Sequence, residues 1–112
     1  MKIWHNNRCS KSRCAVQILT ENKIKFEEYK YLENPPKAND IRDVLAKLGI
    51  EAKDLIRKGE AAYKENYKNK ELTENEWIEA MVKFPKLIER PIFVNGDKAV
   101  VGRPPERVLE IA

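Results

Sequence analysis

A chain of 112 residues, 42% hydrophobic and 36% charged, is long enough for one soluble domain with a modest core and is unlike a disordered tail. The net charge of +4 comes from interleaved lysines and glutamates; this argues against a nucleic-acid stripe and leaves room for an anionic small substrate or an acidic partner. No apolar run approaches a membrane span and no apolar leader opens the chain. A cytoplasmic location without membrane partners is therefore expected, where the two cysteines read as reactive or reduced thiols rather than a disulfide.

In chain order, Lys2 to His5 reads as a short strand. A helix over about Ser12 to Asn22 follows, on the helical spacing of Ala15, Val16, Ile18 and Leu19. Phe26 to Leu32 reads as a second strand, giving a right-handed parallel βαβ unit that Pro35-Pro36 ends. A helix capped near Asn39 or Asp40 buries Ile41, Val44, Leu45 and Leu48 and stops at Gly49. Residues 50 to 85 read as helical throughout, in short pieces that include Leu55, Ile56 and Tyr63, and Thr73-Glu74-Asn75-Glu76 forms a capping box. Pro91 to Val94 and Lys98 to Val101 form a hairpin around Asn95-Gly96-Asp97, and Pro104-Pro105 opens a last helix with Val108, Leu109 and Ile111. The order is that of an α/β, thioredoxin-like fold: one domain over residues 1–112, a small mixed four-stranded sheet, and a helical insertion at about 37–88 between the second and third strands.

The chemistry concentrates at the first strand-to-helix loop. Cys9 lies where a helix exposes unpaired N–H groups and the positive end of its dipole, with Arg8, Lys11 and Arg13 nearby. These surroundings stabilise a thiolate, and the same junction suits an anion. Cys9 is therefore the candidate nucleophile. Cys14, five residues on, reads first as a small, partly buried helix residue; an internal resolving thiol is the alternative, although Cys-x4-Cys is not a CxxC pair. His5, the only histidine, either faces and tunes the thiol or is a half-buried strand residue with no catalytic task. One histidine and two cysteines fall short of a four-ligand zinc site, so no metal is expected. Arg57, Arg90 and Arg103 occupy unusual positions: after an apolar step, before Pro91 at a strand start, and after Gly102 at a strand end. Arginine's planar fork suits a multi-oxygen anion. Arg90-Pro91 also stands where thioredoxin-like folds commonly place a cis-proline.

The segments His5-Asn6-x-Arg8-Cys9-Ser10-Lys11-Ser12-Arg13, Tyr31-Leu32-Glu33-Asn34-Pro35-Pro36, Leu55-Ile56-Arg57-Lys58, Arg90-Pro91-Ile92 and Gly102-Arg103-Pro104-Pro105-Glu106 resemble the ArsC family. These are glutathione- and glutaredoxin-coupled arsenate reductases, and the resemblance is to their short bacterial branch. It implies that Cys9 attacks arsenate or a similar oxyanion, that Arg57, Arg90 and Arg103 hold the anion, and that His5 and Ser12 support the nucleophile. It further implies glutathione as co-substrate, glutaredoxin as partner, arsenite as product and no bound cofactor. Two departures stand out: Asn7 where the family usually has proline, which would loosen the loop, and Cys14 where it usually has another residue. A redox-sensing regulator like Spx, which contacts RNA polymerase, is one alternative, although Spx-like proteins carry CxxC. A general thiol-disulfide oxidoreductase cycling Cys9 and Cys14 is another.

Overall fold

The computed structural model of the chain describes residues 1–112 and divides into two compact units. A sheet unit comprises Met1–Asn34 and Arg90–Ala112, and a helical unit comprises Pro35–Glu89.

In the sheet unit, strands β1 (Lys2–Trp4), β2 (Glu27–Tyr29), β3 (Ile92–Asn95) and β4 (Lys98–Val101) form one mixed sheet in the order β2-β1-β3-β4. β1 pairs parallel with β2 and antiparallel with β3, placing Ile3 opposite both Glu28 and Phe93. Helix α1 (Ser10–Glu21) makes the crossover between the parallel strands. It buries Ala15 and Leu19 in a core with Ile3, Phe93, Val100 and Val108, against which Val16, Ile18, Ile24, Phe26 and Ile111 pack.

Several boundaries differ from the sequence expectation. α1 begins at Ser10, two residues early, because the Cys9 carbonyl already accepts the Arg13 N–H at 3.0 Å. β2 stops at Tyr29, since its last ladder partner is the His5 N–H. Tyr31, read as a strand residue, is instead a fully buried turn residue with its ring 6.1 Å from that of Trp4. The last helix is 3₁₀ rather than α, over Pro105–Glu110. Its threefold period turns Val108 and Ile111 inward and leaves Leu109 exposed.

The helical unit contains α2 (Ala38–Leu48), α3 (Ala61–Asn66) and α4 (Glu74–Lys83), with 3₁₀ turns at Ala52–Leu55 and Pro85–Leu87. α2 starts before Asn39 because Asp40 is no cap residue: its carboxylate reaches back to the Lys37 N–H at 2.9 Å from inside the first turn. Gly49 closes the helix at φ 70°, a left-handed conformation that favours glycine. The capping box at Thr73 and Glu76 is present in both directions. Residues 50 to 85 are not helical throughout. Ile56 leaves the 3₁₀ turn to form an antiparallel bridge with Ile88. No helix of the chain is long and apolar enough to cross a membrane.

Candidate functional site

Cys9 is the N-cap of α1, held in extended conformation and half-buried. Its N–H is taken by the Asn6 carbonyl at 3.0 Å, which closes the loop tightly ahead of the helix. Burial is the largest influence on the thiol and opposes ionisation. The Ser12 amide, the Arg90 guanidinium and the Lys11 amide together outweigh it and hold the pKa below that of an ordinary thiol. The sulfur makes no strict capping hydrogen bond, so the two amides act through their field at the helix terminus.

Two arginines from distant chain positions meet this thiol. Arg103 donates from Nε to the Arg90 carbonyl at 2.8 Å and reaches the Cys9 sulfur with Nη2 at 3.6 Å. Arg90 adds its own hydrogen bond and charge. Each arginine precedes a proline across a cis peptide bond, Arg90-Pro91 and Arg103-Pro104; the first was legible as an option in the sequence and the second was not. Gly102 lets these segments approach. Its N–H donates to the Pro91 carbonyl at 2.8 Å, and a Cβ there would lie 2.9 Å from Pro91 Cγ. The flanking cations play a different part from the one expected. Arg13 spends its guanidinium on the Asn7 carbonyl at 2.9 Å, and Lys11 acts on the thiol through its backbone amide.

His5 supports the loop and is not bonded to the sulfur in this arrangement. Its buried Nδ1 lies 2.6 Å from Ser12 Oγ, which also accepts the Asn6 N–H at 3.0 Å. Burial lowers the His5 pKa against the opposing charge of Glu28, with Lys30 adding to the lowering, which favours the neutral ring. Nδ1 and Ser12 Oγ share one hydrogen bond, and the other ring nitrogen, Nε2, lies 3.8 Å from Glu28 Oε1. The Ser12 hydroxyl is therefore committed to His5, and Ser12 acts on Cys9 through its amide.

Arg57 belongs to the helical unit. Its Nη1 donates to Glu89 Oε1 at 2.8 Å, and its Nε lies 3.6 Å from Glu60 Oε1. Cys14 is free and, contrary to expectation, exposed. Five residues along a helix is about 1.4 turns, so Cys9 and Cys14 start from different faces.

A model of the ArsC family matches residues 4–111. The chain belongs to the ArsC family. This ArsC chain is 50% identical over 113 residues to the uncharacterized protein YfgD of Escherichia coli strain K12, covering 99% of this chain and 95% of that one. It is 41% identical over 110 residues to an arsenate reductase of Neisseria meningitidis serogroup B, covering 96% and 94% of the two chains. Among solved structures it resembles an arsenate reductase from Vibrio cholerae, with a TM-score of 0.94, 40% identity and coverage of 100% and 98%.

Three partners of the candidate residues were not legible beforehand. Glu28 reaches His5 through the parallel β1–β2 register, and Glu60 and Glu89 reach Arg57 through turns of the helical unit. None has a sequence signal, since each is one glutamate among many on a charged surface.

Proposed function

We propose that this chain is a thiol-dependent arsenate reductase with Cys9 as nucleophile. The carrying observation is a half-buried sulfur at a helix N-cap with a lowered pKa, contacted by Arg103 and stabilised by Arg90. The family resemblance adds Arg57 to Arg90 and Arg103 as a binder of the oxyanion. In this scheme the Cys9 thiolate attacks arsenic(V), an arsenate oxygen leaves as water after protonation, and a Cys9–arsenate thioester forms. The arginines neutralise charge on the remaining oxygens. Glutathione then attacks the Cys9 sulfur; its thiol and the Cys9 sulfur together supply two electrons, arsenic(V) leaves as arsenite, and a Cys9–glutathione disulfide remains. A glutaredoxin thiol takes the glutathione and returns the Cys9 thiolate. The scheme uses no bound cofactor and suits the reducing cytoplasm, where both thiol donors are available. His5 and Ser12 keep the loop in shape and take no part in bond making.

The test is arsenate-dependent NADPH oxidation coupled through glutathione, glutaredoxin and glutathione reductase. Wild-type protein is expected to turn over and Cys9→Ser to lose at least about a thousandfold, the scale of removing a covalent nucleophile. Wild-type protein that leaves NADPH untouched, in a mixture that still reduces a control disulfide, overturns the assignment.

A further inference from the structure

Arg57 is held in a way that the scheme above leaves unexplained. Its backbone N–H donates to the Leu87 carbonyl at 2.7 Å, and the Glu89 N–H donates to the Leu55 carbonyl at 2.8 Å, either side of the Ile56–Ile88 bridge. These reciprocal bonds fix the two segments in register and set the two side chains against each other. Both side chains are about three-quarters buried, at 25% and 27% exposure. Nη1 is taken by Glu89 at 2.8 Å. Nε is buried and makes no hydrogen bond, because Glu60 Oε1, at 3.6 Å, lies beyond hydrogen-bond reach. One guanidinium thus faces two carboxylates while keeping a buried donor unsatisfied. Such a donor is costly when left so and is satisfied by an acceptor brought in from outside.

We propose that Glu89 is an internal competitor for the anion at Arg57, which any oxyanion must displace to bind there. The proposal rests on Arg57 being an oxyanion-binding residue in the scheme above. An anion that binds at Nη1 must first break the Arg57–Glu89 ion pair, and it also meets the charge of Glu60. The cost of breaking that pair is the same for every anion, so Glu89 raises the threshold for all of them.

The probes are sodium sulfate and sodium perchlorate, tetrahedral anions of different charge, titrated calorimetrically into the full chain. Glu89→Gln keeps the side-chain size and an acceptor oxygen for Nη1 while removing the charge. It is expected to bind sulfate about fivefold tighter, the factor corresponding to a partly exposed ion pair near the upper end of its usual range. Perchlorate, which must break the same ion pair, should gain by no more than that factor. In an Arg57→Gln background the same change is expected to have no effect, since coupled residues are non-additive. Sulfate binding that is unchanged or weaker in Glu89→Gln, or an equal gain in the Arg57→Gln background, overturns the proposal; weaker binding would show Glu89 to be a support for Arg57. Should Glu89→Gln fail to fold, Glu60→Gln is expected to tighten sulfate by a smaller factor, and the absence of tightening is again fatal. Arsenate turnover followed alongside separates the two ideas. Tighter sulfate binding in a chain that does not reduce arsenate refutes only the reductase assignment, and turnover with unaltered sulfate binding refutes only this one.

Discussion

In the sheet unit, Arg103 is anchored by a carbonyl: Nε donates to Arg90 O, and Nη2 is left to face the Cys9 sulfur. In the helical unit, Arg57 is anchored by carboxylates, Glu89 at 2.8 Å and Glu60 at 3.6 Å. The carbonyl itself carries no opposing charge and turns the Arg103 guanidinium toward the sulfur. An acidic acceptor orients a guanidinium and offsets its charge together, and the competition proposed at Arg57 turns on that difference.

The largest effect that would break this contrast lies in the sheet unit. Arg90→Gln and Arg103→Gln are each expected to raise the titration midpoint of the Cys9 thiolate, followed by its ultraviolet absorbance, and to lower kcat/KM for arsenate about a hundredfold. An unmoved midpoint would show that the two cations do not act on the sulfur. The sign of the pH dependence follows from the lowered Cys9 pKa. The fold favours the ionised thiol, so this group contributes stability above the unfolded thiol's pKa, near 8.5, and that contribution is lost as pH falls through the folded value. Alkylation of Cys9 is accordingly expected to stay fast below the ordinary thiol range and to slow only through the folded pKa. The Arg90→Gln and Arg103→Gln proteins should slow at higher pH.

Smaller effects sharpen the comparison through stability. Ser12→Ala leaves the buried His5 Nδ1 and the Asn6 N–H without their shared partner. It is expected to cost about 1–3 kcal/mol in denaturant unfolding, and a loss near zero would mean that the hydroxyl is not the keystone of the loop. In the helical unit, Thr73→Ala removes the oxygen that accepts the Glu76 N–H at 3.2 Å. About 1 kcal/mol is expected, followed by the fluorescence of Trp77, which lies on α4 and stacks on Tyr63 within the same unit.

The parts of this architecture legible beforehand are those set by near neighbours in the chain. The Thr73–Glu76 box, the Gly49 stop, the hairpin around Gly96 and the placement of Cys9 at a helix start depend on bonds spanning a few residues. Boundaries slipped where a bond from elsewhere intervened: Asp40 capping from within, and Tyr31 drawn into a buried turn beside Trp4. At the site, Cys9 could be picked out from its own surroundings. The local basic residues were assigned too much: Arg13 closes the loop at Asn7, which supplies some of the restraint a proline would give, and the thiol takes its cationic support from Arg90 and Arg103.

Short-range chemistry was thus enough to announce the element order, the family resemblance and the reactive cysteine, because propensity, capping and helix-terminal electrostatics act over one or two turns. Side-chain partnerships needed the folded chain. The β1–β2 register brings Glu28 to His5, the Ile56–Ile88 bridge sets Glu89 against Arg57, and a glycine at 102 admits Pro91 so that Arg103 can hang from the Arg90 carbonyl. Each of these pairs is separated by more than ten residues. A charge at such a distance carries no mark in the sequence of which opposite charge it will meet, since only the packed backbone decides which are close enough to interact.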